Sequence, residues 1–285
     1  MEIIFITNDR FRKLNMIFRL FGAGILTQAE KEFPAFFGKT MELSSHIFDE
    51  SISIPGHQSV WDACFDSDPV AKLAEIAPAV AGMLDKLDIP MADEKDPFFT
   101  ELKDAINAGF SGNENAISNA IQSVFRFELP KRLVLIMDKY GKITGSYGHK
   151  LAVNKDTGVI GYSISASALS RDRMEPVSVI LHEMLHVLIS KYKIVKHMGD
   201  SKTFEEAFIR YFAPYGMLTA KLGLQPDRWF EDYLKQISGF KSYSYFAKLT
   251  EVMSAYSRMP YGTDIWDFLD KNGLGEYIDT SRLPS

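Results

Sequence analysis

Cysteine is almost missing: Cys64 stands alone in 285 residues. No intrachain disulfide can form, and no cysteine-built zinc site is available. Any metal here must be held by His, Asp or Glu. Basic charge is also short. With 32 Lys and Arg against 37 Asp and Glu, the net charge of -5 argues against a nucleic-acid surface. No run approaches the ~20 apolar residues that span a bilayer, and repeats and low-complexity segments are lacking. What the chain has in plenty is apolar and aromatic side chains, 46% and 13%. That places it among folded globular proteins, with length for one large domain or two of ordinary size.

The most informative stretch runs from Pro176 to Ser190, where most residues are Val, Ile, Leu or Met and do not keep to one stripe. A helix apolar on most sides is buried on most sides. Into it are set His182, Glu183 and His186, spaced H-E-x-x-H. Burying these groups unpartnered costs roughly 2 kcal/mol or more for each, so a compensating partner is expected. Residues four apart lie one above the other on a helix face. From there two imidazoles can converge on one ion, at the ~2.0–2.1 Å that zinc takes from histidine. Glu183 lies about 100° further round, where a base acting on metal-bound water belongs. The opposing interpretation is two core histidines and a glutamate that meet by accident. An accidental match is expected on an exposed helix or loop, whereas this one lies mid-helix in an apolar run.

Elsewhere the pattern predicts a strand over 2–6 and a helix over 10–21 stopped by Gly22 and Gly24. Arg10, Arg12 and Lys13 precede a partly apolar run to Leu26, with Thr27 to Ala29 as a weak cleavage signal. Arg19 interrupts the run, which favours an amphipathic helix and a cytoplasmic chain over an exported one. Residues 28–66 give a mixed signal that includes His46 and His57, both read as structural. Helices are expected over 69–88, 97–109 and 113–126. Strands follow at 132–137, 150–153 and 159–165, with turns from Asp138 to Gly148. After the motif helix, a second helix is expected over 203–213, with Thr203 as its cap and Glu206 at the third position. Further helices are expected over 217–223, 226–238, 242–257 and 263–271. A soft boundary near 170 separates residues 1–170, helical plus sheet, from 171–285, the motif helix and a helical C-terminal part. The two together can also form one domain.

A catalytic zinc takes three protein ligands and keeps a place for water. In metzincins the motif continues to a Gly and a third His, but Ile189 and Tyr192 stand there, which excludes that class. Glu205 and Glu206 lie 19 and 20 positions after His186, on the predicted second helix. Glu206, Glu205 and Asp200 are the candidates for the third ligand. The order of strands, motif helix, loop and Glu-bearing helix resembles the gluzincin branch of zinc metallopeptidases. Thermolysin-like enzymes carry the third ligand at this distance followed by Ala, as in Glu206-Ala207. The pattern from Glu206 to Arg210 also resembles uncharacterised bacterial families predicted to be zinc peptidases, which share an amino-terminal helix segment like Ile17 to Leu20. The resemblance covers about 35 residues, 178–212. Thermolysin-like enzymes place an Asp four residues after the ligand Glu to orient a ligand His; Arg210 stands there here.

The resemblance implies an α+β, zincin-like fold with a small, mainly antiparallel sheet over the active-site helix. It implies a Zn2+-dependent peptidase acting on a peptide or protein substrate, with zinc on His182, His186 and Glu206 and with Glu183 as general base. The oxyanion needs a further donor, and His197, Tyr211, Tyr215 and His149 are the candidates. The strand at 159–165, with Gly161, Tyr162 and Ser163, is expected at the sheet edge, where an extended peptide can add a strand. Two other readings stand beside this one. One is a zinc-binding module without activity that acts in protein interaction, and the other is a metal-free helical protein. Oligomeric state and cleavage preference leave no mark in the sequence.

Overall fold

The computed structural model describes residues 1–22, 61–86, 91–140, 146–154, 156–196, 201–224 and 237–284. Strand β1 (Glu2–Ile6) leads into helix α1 (Asp9–Gly22). Helices α2 (Pro69–Ile76) and α3 (Pro78–Lys86) follow. The sequence predicted one helix over 69–88, but Pro78 has no N–H to donate and its ring clashes with the preceding turn. The helix therefore breaks at Ala77, which sits at φ -142° and ψ 64°. Asp68 and Asp96 cap α2 and α4 (Pro97–Ser111), each accepting a backbone N–H and each followed by a first-turn proline. Helix α5 (Glu114–Phe125) then leads to the remaining strands.

These strands are β2 (Arg132–Tyr140), β3 (Ser146–Asn154) and β4 (Thr157–Ser165). Both β2 and β3 run into the stretch read as turns between Asp138 and Gly148. With β1 they form a four-stranded sheet in the order β1-β2-β4-β3. The expected mainly antiparallel sheet is not what forms. Strand β2 runs parallel to both β1 and β4, and only the β3–β4 hairpin is antiparallel. Strands β2 and β4 have helices on both faces, so each reads as a nearly unbroken apolar run that carries no sign of direction. The order also corrects the expected edge strand. Gly161, Tyr162 and Ser163 lie on β4, inside the sheet, and β3 is the edge. The return strand of the hairpin inserts between its own partner and β2.

The sheet has two covered faces. On one, Leu133, Leu135, Met137, Ile160, Tyr162 and Ile164 pack into the larger core. On the other, Val134, Ile136 and Val159 pack with Phe11, Leu14, Trp61 and Leu73. Arg12 is wholly buried on this second face. Its guanidinium bonds Asp9 and the Ala92 carbonyl and lies 3.8 Å from Asp138.

After a single turn-and-a-half helix α6 (Ala166–Arg171), the motif helix α7 (Glu175–Tyr192) crosses the first face. It packs on β3 and β4 and against α4. Nearly every side chain from Glu175 to Ile189 is buried, His182 included, while His186 is partly exposed. Helix α8 (Ser201–Arg210) begins at Ser201, two residues earlier than expected, so Thr203 lies inside it rather than capping it. Helices α9 (Met217–Lys221), α10 (Phe246–Tyr256) and α11 (Ile265–Leu269) complete the described part. The larger core continues without a break from Phe98 to Ile278, across residue 170. No helix among the described residues is long and apolar enough to cross a membrane. The expected helix over 226–238 lies mostly outside the described residues, as do His46 and His57.

Candidate metal centre

The spacing in α7 sets His182 and His186 with ring centroids 4.9 Å apart, on the side facing α8. From α8, Glu206 reaches between them. Its Oε2 lies 2.9 Å from His186 Nε2 and its Oε1 lies 3.5 Å from His182 Nε2. One donor atom from each of the three residues falls within 4.8 Å of the others, the one such His, Cys, Asp or Glu group found among the described residues. Tetrahedral zinc with bonds of 2.0–2.1 Å holds its ligand atoms about 3.3 Å apart. The two nitrogen–oxygen separations, 2.9 and 3.5 Å, lie on either side of that value, with a different Glu206 oxygen in each.

The far nitrogen of each ring is tied back. His182 Nδ1 is 2.7 Å from the Ala213 carbonyl, which can only accept, so this nitrogen carries the proton. His186 Nδ1 is 2.6 Å from Glu205 Oε1 and donates to that carboxylate. Both assignments leave Nε2 as the atom facing the centre. Outer partners of this kind fix the tautomer and ring angle of a metal-binding histidine. Glu205 therefore serves as a support for His186, although the sequence left it open as a ligand. Asp200, the other alternative, lies outside the described residues.

The electrostatics suit a cation. Burial opposes a charge on His186, but the hydrogen bonds to Glu205 and Glu206 outweigh it and raise the imidazole to about 10. Burial likewise pushes Glu206 up, yet the charge and hydrogen bond of His182, with those of His186, hold it well below the usual carboxylate range. Glu205 is held low against its own burial by the bond to His186.

Glu183 is buried at 6% exposure, with Oε1 3.9 Å from His182 Nε2. It stands beside the three donors without joining them. The edge strand passes directly over it. A Cβ built on Gly148 would fall 2.7 Å from Glu183 Cγ and 3.1 Å from Val179 Cγ1. Only a residue without a side chain lets β3 approach the helix this closely. That signal was present in the sequence as a glycine inside a strand, but those residues had been read as turn.

The remaining candidates separate. Tyr211 donates its hydroxyl to Thr250 Oγ1 at 3.0 Å, on α10. His149 alternates to the opposite face of the sheet, where its ring lies by Gly161 and Asn15 of α1. Tyr215 is half-buried, and its hydroxyl contributes to raising the pKa of Tyr162, behind the main effect of burial and that of Glu175. His197 lies outside the described residues. Sequence reasoning missed Arg210 as part of the site: its Nε and Nη2 both lie 2.6 Å from Glu206 Oε1. Compared with protein-family models, with curated proteins and with solved structures, the chain matches none.

Proposed function

We propose that the protein is a zinc-dependent hydrolase of peptide bonds, of the gluzincin kind within a zincin-like fold. The observation that carries this reading is the convergence of His182 Nε2, His186 Nε2 and a Glu206 oxygen, each ring held by an outward hydrogen bond. The donor set of two nitrogens and one carboxylate oxygen suits zinc and leaves one tetrahedral position free. When bound, the zinc supplies Lewis acidity and makes water a nucleophile at neutral pH. Glu183 takes the proton that water loses onto a carboxylate oxygen and returns it to the leaving amine. The outer edge of β3, the edge strand among the described residues and the one whose Gly148 lies over Glu183, is where an extended peptide would add a strand. Tyr215 is the remaining described candidate for a donor to the oxyanion.

Elemental analysis of the purified protein should give one zinc per chain, with His186→Ala losing it. Glu183→Gln should keep the zinc and lose peptide hydrolysis by a factor of about 10² or more. Equal turnover by that variant ends the mechanism. Zinc retained by a wild-type protein that cleaves no peptide supports the inactive zinc-binding module instead.

A further inference from the structure

Arg210 occupies a place in the site that the metal reading does not explain. One turn along α8 from Glu206, it turns back and sets two nitrogens, Nε and Nη2, on the same carboxylate oxygen, Oε1, each at 2.6 Å. The guanidinium carbon in turn lies 6.0 Å from the centre of the Phe240 ring, within cation–π range. A guanidinium more often spreads its fork over both oxygens of a carboxylate. Here both donors fall on one.

Lone-pair counting gives this geometry a consequence. Each oxygen of an ionised carboxylate has about two lone-pair sites. On Oε1 one is taken by the Nε–H of Arg210, and Nη2 stands 2.6 Å from the same oxygen. Oε1 also lies 3.5 Å from His182 Nε2, but the guanidinium engages it, so Oε2, 2.9 Å from His186 Nε2, is the oxygen freer to take a cation. We propose that Arg210 is a positioning residue that limits Glu206 to a single ligating oxygen. The protein then contributes three donor atoms rather than four, and a coordination place stays available for water. This inference rests on the zinc reading and adds to it how the open position is protected. The fixed fork of arginine is needed, because a lysine brings a compact point charge and cannot hold two rigid donors on one oxygen.

Cobalt(II) is the probe, since its visible absorption distinguishes four from five ligands and it binds where zinc binds. Cobalt(II) is titrated into full-length wild type, Arg210→Met and Arg210→Lys after chelation of bound metal. Wild type should show the intense band of a four-coordinate ion. Both variants should bind one cobalt per chain with a band weaker by about twofold, as Glu206 swings to present both oxygens. A purely structural role for Arg210 would change stability or affinity but not band intensity in the loaded protein. Variants with an unaltered band overturn the inference and leave the zinc site standing. A folded wild-type protein that takes up neither cobalt nor zinc overturns the zinc reading and this inference with it. Arg210→Lys keeps the charge and the packing of the stem, so the comparison survives if Arg210→Met fails to fold.

Discussion

At Gly148 a missing side chain sets the position of the base. The methyl group of Gly148→Ala would fall 2.7 Å from Glu183 Cγ and 3.1 Å from Val179 Cγ1. Neither neighbour yields easily, because both belong to a helix buried on nearly all sides. The expected outcome is a shift of Glu183 away from the centre, with a stability loss of about 1–3 kcal/mol. Since a misplacement near 1 Å costs about 10² in rate, hydrolysis should fall by that order while zinc content is unchanged. Zinc analysis and peptide hydrolysis on the same preparation check this. Undiminished turnover would show that Glu183 has room the structure does not give it. The contrast with the clustered His182, His186 and Glu206 explains what the sequence could tell. His182, His186 and Glu206 were legible because four positions on one helix and twenty along the chain are distances in sequence. Gly148 reaches Glu183 only through strand pairing, and no spacing encodes that. Tyr211 was placed by spacing as well. Five positions after Glu206, it lies about 140° round the helix axis and meets Thr250 instead.

The motif helix is held by neighbours that lack side chains. Gly109 on α4 faces Val177, Gly148 on β3 faces Glu183, and Gly158 on β4 faces Val187; at each, an added Cβ would lie under 3 Å from a side-chain atom of α7. Three close approaches along one helix fix its height and rotation, and therefore where His182 and His186 point. In Gly109→Ala, helix propensity favours the change by about 1 kcal/mol. Against that stands a methyl 2.3 Å from Val177 Cγ2, and β-branched Val177 is stiff at χ1. Overpacking of about 1–3 kcal/mol opposes it, leaving a net loss of up to about 2 kcal/mol. Adding Val177→Ala should recover part of it, so that the double variant loses less than the sum of the two single variants by about 1 kcal/mol. Urea unfolding of the four proteins measures the cycle, and strict additivity would mean the two residues do not press on each other. At this scale the helices were largely readable, since caps such as Asp68 and Asp96 and the prolines after them are local signals. The break at Pro78 was equally local and was overridden by the apolar periodicity around it. Strand direction was not readable. It is decided by where β4 inserts, a choice made by the packing of α1 and α7 on opposite faces.

Across the whole molecule the sheet separates a smaller core containing α1 from a larger one that holds α7 and α8 together. The cluster of His182, His186 and Glu206 lies on the larger side and brings together side chains from α7 and α8, His186 and Glu206 being twenty positions apart in sequence. Joining them by a cation is a tertiary bond, and its free energy belongs to the folding of the entire core. Any ligand that binds only the folded chain stabilises it by mass action, by about 2.7 kcal/mol at a hundredfold excess over Kd. The unfolded chain offers no preformed convergence of His182, His186 and Glu206, so its competition for zinc is weak. Removal of zinc by a chelator should therefore lower the thermal midpoint by about 5 °C or more for a chain of this size. In His186→Ala, the chelator should leave the midpoint where it is. Glu183→Gln makes the necessary contrast: it keeps the three ligands, so it should respond to the chelator as wild type does even though it no longer hydrolyses peptides. Scanning calorimetry of the three proteins, with and without chelator, thus separates the contribution of the metal to the fold from the contribution of Glu183 to the chemistry. A wild-type midpoint indifferent to the chelator would mean that α7 and α8 hold their places through the apolar core alone, and that the triad adds nothing to the stability of the chain.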